Sequence, residues 1–345
     1  MLHQVQGAPF DVILAGIDIG TNAVRLLVTD INGVYHRELF SRRISTRLGQ
    51  DIDRTGCLSP DAQERTLSAL EHFMESIRRF DAVQTVAVGT SALRNAVNAA
   101  EFISAARIRT GLDIRIIDGE SEARLTLIGV QKALSGNSSN GTGADYLKRA
   151  IVLDVGGGST ELIVTRDSAA QIIVSLPLGA VYLTERFLKN DPPSDGEIRG
   201  LRHVVAEELE TWERSLQGQS LDHIAACAGT AGTVTTLAAM DLELPEYTSE
   251  KINGYILTAV AVDSMINTLS ACTLLERAKL PGLEQGRADI VLAGAIIVQE
   301  ILQRYGFFRM LVSDWGLREG IVFDLHDRID GARISGRDAE GLPDT

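Results

Sequence analysis

Two glycine-rich turns carry the first sign of chemistry. Residues 16–28 read GIDIGTNAVRLLV and residues 152–164 read VLDVGGGSTELIV. In each, an apolar run reaches an aspartate, Asp18 or Asp154, turns through Gly20 or Gly156, Gly157 and Gly158, and resumes as a second apolar run. Glycine lets the backbone turn tightly and bring its N–H groups against an anion. Thr21 and Asn22 in the first turn, and Ser159 and Thr160 in the second, add hydroxyl and amide donors. Arg25, just beyond the first turn, adds a guanidinium. A phosphate group suits this donor set. Asp18 and Asp154 end buried strands, where a carboxylate does little for packing; as hard oxygen ligands they suit Mg²⁺, or another divalent ion in its place. Neither turn is a P-loop, because no Gly-Lys-Ser/Thr follows. One such turn alone reads equally well as a hairpin with aspartate in its ordinary turn role.

A second pair of segments argues against coincidence. VGTSA (88–92) and AGTAG (228–232) each follow an apolar run. In the first, Gly89, Thr90 and Ser91 lead into a helix start, where backbone N–H groups favour phosphate, and Arg94 offers a planar fork for its oxygens. Gly229, Thr230, Gly232 and Thr233 repeat the arrangement. Without a gap, Asp18 falls on Asp154, Gly20 on Gly156, Leu26 on Leu162 and Val28 on Val164, and the second pair matches at nearly the same offset. Two matched turns at matched spacing indicate a duplicated unit.

The elements that must hold these turns alternate along the chain. Strands are expected at 13–19, 23–29, 83–88, 113–117, 150–155 and 161–165. Helices are expected at 60–80, where Ser59 caps and Pro60 starts, and at 95–109 and 121–134. Residues 135–148, rich in Gly, Ser and Asn at their start, read as a flexible connection. The first lobe is therefore expected over 1–134 and the second over 149–315. A C-terminal helix at about 316–330 rejoins the first lobe, and a disordered tail follows at 331–345.

Glu120 and Glu122 fall where strand 113–117 gives way to a helix, a position at which acids also serve the helix dipole. The formal charge of −13 argues against non-specific nucleic-acid binding. Against that background Tyr35–Gly49 holds Arg37, Arg42, Arg43, Arg47 and His36 with only Glu38 opposing. It is either a solvated edge strand or an entrance for an anionic chain. No apolar run reaches membrane-spanning length and the N-terminus lacks the pattern of a secretion signal. Cys57, Cys227 and Cys272 lack metal or disulfide spacing. A cytoplasmic protein is expected.

Seven stretches together resemble the exopolyphosphatase/guanosine pentaphosphate phosphohydrolase (Ppx/GppA) family, within the actin-like ATPase superfold. They are GIDIGTNAVRLLV, VGTSALRNAVNA, DGESEARLTLIGV, VLDVGGGSTELIV, ACAGTAGTVTTLAA, RADIVLAGAIIV and VSDWGLREGIV, in the family's order from about Ile13 to Val322. The resemblance implies an α/β fold of two duplicated actin-like (ribonuclease H-like) lobes, with mixed sheets and a cleft between them, as in the short, two-domain members. It implies that Glu122 is the catalytic glutamate that orients or deprotonates water, with Ser121 replacing the family's preceding acid. Glu122 is also grouped with Asp18 and Asp154 as a metal carboxylate. Gly156 to Ser159, Asn22 and Arg94 match phosphate contacts, whereas Asp314, Gly316 and Glu319 read as structural. The implied reaction is hydrolysis of the terminal phosphate of inorganic polyphosphate. Guanosine pentaphosphate is the alternative substrate, and an ATP-dependent kinase or a non-catalytic alarmone sensor are the alternative functions. A homodimer is left open.

Overall fold

Apolar residues run almost unbroken along the first two strands because both faces of the sheet are covered. The computed structural model describes residues 12–32, 35–136, 145–219, 221, 224–284 and 286–339. Strand β1 (Val12–Ile19) pairs antiparallel with β2 (Ala23–Asn32), which pairs with β3 (Tyr35–Ser45); β4 (Gln84–Gly89) and β5 (Ile114–Ile116) add in parallel, giving the order β3-β2-β1-β4-β5. On one face Ile17, Ile19 and Leu26 meet Leu70 and Phe73 of helix α1 (Pro60–Arg78); on the other, Leu14 and Leu27 meet Val322 and Phe323 of the last helix. Ser59 caps α1 by accepting from the amide of Ala62, with Pro60 in the first turn.

The second sheet repeats this plan. Strands β6 (Ala150–Val155), β7 (Thr160–Arg166) and β8 (Ala169–Leu176) form an antiparallel meander, and β9 (Ala226–Thr230) and β11 (Arg309–Val312) extend it in parallel; β10 (Ile256–Thr258) closes the edge, giving β10-β11-β9-β6-β7-β8. The two turns close alike: Gly20 N–H donates to Ala23 O at 3.1 Å, and Gly156 N–H to Ser159 O at 3.0 Å. The register is equivalent too, with Asp18 opposite Arg25 and Asp154 opposite Glu161. The fold is thus the duplicated α/β arrangement with mixed sheets expected from the sequence.

Local structure departs from the expected elements in three places. The helix expected at 95–109 is two: α2 (Ser91–Asn95) and α3 (Ala99–Thr110), broken where Ala96 is extended. Val97 and Asn98, both weak helix formers, follow the break. Helix α4 starts earlier than expected, spanning Gly119–Gly136, because the Asp118 carboxylate accepts from the Ser121 amide at 2.8 Å. It also enters the expected flexible connection, of which residues 137–144 lie outside the described residues. The last helix continues to Ala339, into the stretch expected to be disordered. Its Gly331 and Gly336 only weaken a helix and do not end it; residues 340–345 lie outside the described residues.

Four further helices matter below: α5 (Ala180–Phe187), α6 (Asp195–Ser215), α7 (Ala231–Asp241) and α8 (Val291–Arg304), with the last helix as α9 (Leu317–Ala339). α4 and α9 join the two halves. Ala123, Leu127, Val130 and Leu134 of α4 pack on Val152 and Ile163 of the second sheet, while Leu125 meets Leu317 and Ile321 of α9 beside Val88 of the first. The two helices cross nearly backbone to backbone. A Cβ on Gly320 would lie 1.8 Å from Leu125 O, and one on Gly129 2.1 Å from Gly316 O. Gly320→Ala is therefore expected to push the helices apart at an overpacking cost of about 1–3 kcal/mol and lower the melting temperature by several degrees. Gly196→Ala, on the exposed start of α6 with nothing closer than 3.9 Å, is the control and leaves the melting curve unchanged or higher; equal melting of the two variants would refute this account of the crossing.

Candidate active site

Three of the four turns singled out by sequence meet at one point. A Cβ on Gly157 would lie 3.1 Å from Thr21 Cβ and 3.4 Å from the Asn22 amide nitrogen; one on Gly158 would lie 2.6 Å from Ser91 Oγ and 2.7 Å from Thr21 Oγ1. Only glycine permits this approach. The second turn's carbonyls are tied down by the start of α5: Ala180 N–H donates to Gly156 O at 3.0 Å and Val181 N–H to Gly157 O at 2.9 Å. The first turn is stapled by the chain leaving β3, where Thr46 and Arg47 N–H donate to Asn22 O and Gly49 N–H donates to Thr21 O.

Between the turns lies a small cavity of about 70 Å³. Gly20, Thr21, Asn22 and Arg25 of the first turn, Thr90 and Ser91 of α2's start, and Gly156, Gly157, Gly158 and Ser159 of the second turn line it. So do Asp18, Asp154 and Glu122. The Asn22 side-chain Nδ2 is buried with no hydrogen-bond partner among the described residues, a donor set to face an anion's oxygen. A second cavity of about 400 Å³ shares Arg25, Asp154, Gly232 and Arg287 with the first and continues outward past Thr230, Arg43 and Arg318.

Not every expected residue lines the inner cavity. Arg94 turns away from the phosphate turns: its Nη1 donates to Glu122 Oε2 at 2.6 Å and to Ile117 O at 2.9 Å, and its Nη2 lies 4.0 Å from Glu161 Oε1. Its role is to hold the glutamate. Thr160 donates its hydroxyl to Leu178 O, Gly229 packs under Met310, and Thr230 donates to Trp315 O at 2.9 Å. The second-lobe contribution comes from Gly232 and Thr233 at the start of α7 instead. Glu120 points to solvent and pairs with Arg124, while Glu122, two residues on, is buried.

The basic segment is not one row. Arg42 and Arg43 are adjacent on a strand and face opposite ways. Arg43 lines the outer cavity and pairs with Glu284, Arg42 lies in a groove against α1, and Arg47 pairs with Asp289 at 2.8 Å.

Sequence reasoning passed over Glu161, Thr126 and Arg287. Glu161 is buried, accepts from Ser175 Oγ at 2.7 Å, and stands at the position of Arg25 in the repeat; that shared spacing was the signal for it. Thr126 donates to Asp154 Oδ2 at 2.8 Å and lies one helical turn from Glu122. Arg287 is buried on the wall of both cavities and has no counterpart in the repeat to mark it.

Four buried carboxylates thus lie near one another at this site. Burial raises Asp18 to about 6, with the charge of Asp154 adding to it and Arg25 opposing. Burial, and then Asp154, raises Glu161 to about 7. Glu122 is held well above the ordinary carboxylate range by burial and by Glu161, with Arg94 opposing; Asp154 is raised by burial, with the Thr126 hydrogen bond opposing. Raised pKa values at a cleft wall mark sites tuned for proton transfer or cation binding. Among the described residues no three His, Cys, Asp or Glu groups gather into an all-protein metal cage. Asp18 and Asp154 are oxygen donors of the kind a hard ion takes when water and phosphate oxygens complete its shell. Among the described residues no helix is long and apolar enough to cross a membrane.

Comparison with known proteins shows the family. Residues 27–329 match the model of the Ppx/GppA phosphatase family. The chain is 32% identical to Exopolyphosphatase 2 of Mycobacterium tuberculosis, over 90% of this chain and 98% of that one. It is similar in structure to the Aquifex aeolicus Ppx/GppA family member, with a TM-score of 0.75 and 31% identity over 92% of this chain and 98% of that one. An exopolyphosphatase from Cytophaga hutchinsonii gives a TM-score of 0.81 at 26% identity, over 91% and 98% of the two chains.

The burial of Asp18 has a measurable cost. Its folded pKa lies above the unfolded value, so the folded state holds the proton more tightly. Stability is greatest below the unfolded pKa near 3.8 and is lost as pH rises through about 6. Asp18→Asn removes that loss. The variant is expected to gain on the order of 3 kcal/mol over the parent at pH 8 relative to pH 4, and several degrees or more in melting temperature. Equal gains at both pH values would show that Asp18 is not held against its charge.

Proposed function

Because the chain belongs to the Ppx/GppA phosphatase family, we propose that it is an exopolyphosphatase that hydrolyses the terminal phosphoanhydride bond of inorganic polyphosphate. The observation that supports this reading is the paired cavity: a small inner space with Glu122 on its wall, continuous with a larger space whose mixed lining includes Arg25, Arg43, Arg287 and Arg318. A terminal phosphate fits the inner space, and the arginines lie where the remaining chain would run.

In this mechanism the terminal phosphate is held by the backbone of Gly156–Gly158, the hydroxyls of Thr21, Ser91 and Ser159, and the Asn22 amide. Arg25 lies beside it, 3.9 Å from Asp18. Glu122 orients a water and takes its proton. Its raised pKa makes it a stronger base than an ordinary carboxylate, and the 2.6 Å bond from Arg94 fixes its direction. Asp18 and Asp154 would hold Mg²⁺, which when bound would offset charge on the phosphate oxygens. Positioning and charge compensation carry most of the work in phosphoryl transfer. Guanosine pentaphosphate presents the same terminal bond and is the second reading; Tyr247 on the outer wall offers a ring for a base.

Glu122→Gln is expected to reduce phosphate release by roughly two to four powers of ten while polyphosphate still binds, since the glycine turns and hydroxyls are untouched. Glu120→Gln is expected to stay near the parent. Near-parental turnover in the first variant, measured as phosphate released from polyphosphate, guanosine pentaphosphate and ATP with Mg²⁺, would overturn the assignment of the base.

The pH profile gives a further check. Glu122 must be ionised to act, so turnover is lost as pH falls through its raised pKa. Arg94 opposes that rise, and Arg94→Gln is expected to move the acid limb of kcat to higher pH. A limb that stays in place would show that Arg94 does not set the charge on Glu122.

A further inference from the structure

The outer cavity holds a protein carboxylate where its arginines face the path of a substrate chain. Arg43 comes from β3 in the first lobe and Arg287 from the loop before α8 in the second. Arg287 is buried over Gly232, where a Cβ would lie 1.8 Å from its Nη2, so the site is built around its guanidinium. One side chain serves both arginines. Glu284 accepts from Arg287 Nε at 2.9 Å through Oε2 and from Arg43 Nη1 through Oε1. Among these three groups two positive charges meet one negative charge. Arg25 and Arg318 also line the cavity, as do Glu38, Asp154, Asp314 and Glu319, and Arg43 Nε is buried with no partner among the described residues. Burial first, and then the charge of Arg287, bring Arg43 down to about 9. Glu284 differs from its partners in exposure: its side chain is 45% exposed, against 19% for Arg43 and 8% for Arg287. The arginines are embedded, whereas the carboxylate stands at the mouth and can leave without opening the core.

We propose that Glu284 is a surrogate for a substrate phosphate, occupying Arg43 and Arg287 until a long polyanion displaces it and so setting the chain length the site accepts. A carboxylate with two oxygens on two guanidinium groups reproduces the contacts of one internal phosphate of a chain. A substrate short enough to end within the inner cavity leaves Glu284 in place. A longer one must evict it and gains two arginines in exchange. The proposal rests on the hydrolytic reading above and adds to it the residue that discriminates by length.

The test compares the parent with Glu284→Gln and Glu284→Asp, using tripolyphosphate and long-chain polyphosphate. Both phosphate release and equilibrium binding are measured. The neutral variant competes less for the arginines, so the ratio of KM for tripolyphosphate to KM for the long chain is expected to rise roughly five- to ten-fold, the size of one modest charge interaction. Glu284→Asp keeps the charge but is too short to span both arginines, and is expected to fall between. An unchanged ratio, a fall in long-chain affinity, or equal shifts for both substrates overturns the proposal. A parent that binds the long chain without hydrolysing it overturns the hydrolytic reading alone, and the binding ratio then decides the role of Glu284. Absence of polyphosphate binding by every protein overturns both.

Discussion

Negative charge kept away from water is the constraint on which this site depends. Asp18, Asp154, Glu122 and Glu161 all lie at the apex of the cleft, each less than a tenth exposed. Burying one ionised carboxylate is costly, and burying four near one another is more so. The fold bears this because every acid sits on an element held elsewhere. Asp18 and Asp154 lie near the ends of central strands, Glu161 lies on β7 with Ser175 behind it, and Glu122 lies in the first turn of α4 under Arg94. The acids cannot relax outward without breaking the sheets. Arg25 and Arg287 stand on the wall of both cavities, and Arg43 on that of the outer one, so guanidinium groups run from these acids outward. In the proposed reading a metal-bound phosphate chain would lie between the acids and these arginines.

The duplication explains why Asp18 and Asp154 converge, and one departure from it sets the charge on the two sides apart. Equivalent hairpins place an aspartate at the same position and close with the same glycine-amide turn. Opposite that aspartate the first hairpin carries Arg25 and the second Glu161. With the charge reversed, Arg25 lies beside Asp18 on the inner cavity, while Glu161 lies 4.0 Å from the Arg94 that holds Glu122. In the proposed mechanism the first side would face the anion and the second would support the base.

Much of this was legible in the residues. Both glycine turns and the repeat follow from spacing and local chemistry, whereas the contrast between Glu120 and Glu122 and the return of the last helix to the first lobe come from the family resemblance; the structure places Thr21, Ser91 and Gly158 in contact. What escaped sequence reasoning depends on partners distant in the chain. Arg94 has the right type and position for a phosphate grip, but Glu122 reaches it first across 28 residues. Arg43 and Arg47 look like one basic stripe with Arg42, yet strand alternation and the acids Glu284 and Asp289, some 240 residues on, divide them. Arg287 sits in a motif with no counterpart in the repeat, so internal comparison could not find it. The helix of 331–339 escaped for a different reason: polar composition resembles disorder, whereas two glycines only weaken a helix that is already running.

The contacts that close the cleft divide into a polar rim and a packed crossing of two helices. Across the rim, Arg43 meets Glu284, Arg47 meets Asp289 at 2.8 Å, and the Asp51 amide donates to the Glu185 carboxylate at 3.0 Å. In all three the first lobe donates and the second accepts. Apolar packing between the lobes is concentrated at the α4–α9 crossing, where Gly129 and Gly320 let the backbones touch. A packed hinge with a polar rim separates two requirements. The hinge fixes how the lobes meet, because interlocked backbones allow one register only. The rim sets how firmly they stay shut, and partly exposed ion pairs contribute only about 0–1 kcal/mol each. In the proposed hydrolysis a polyanion between the lobes would compete for the first lobe's donors and meet the second lobe's acids at this rim, while the crossing of α4 and α9 is untouched.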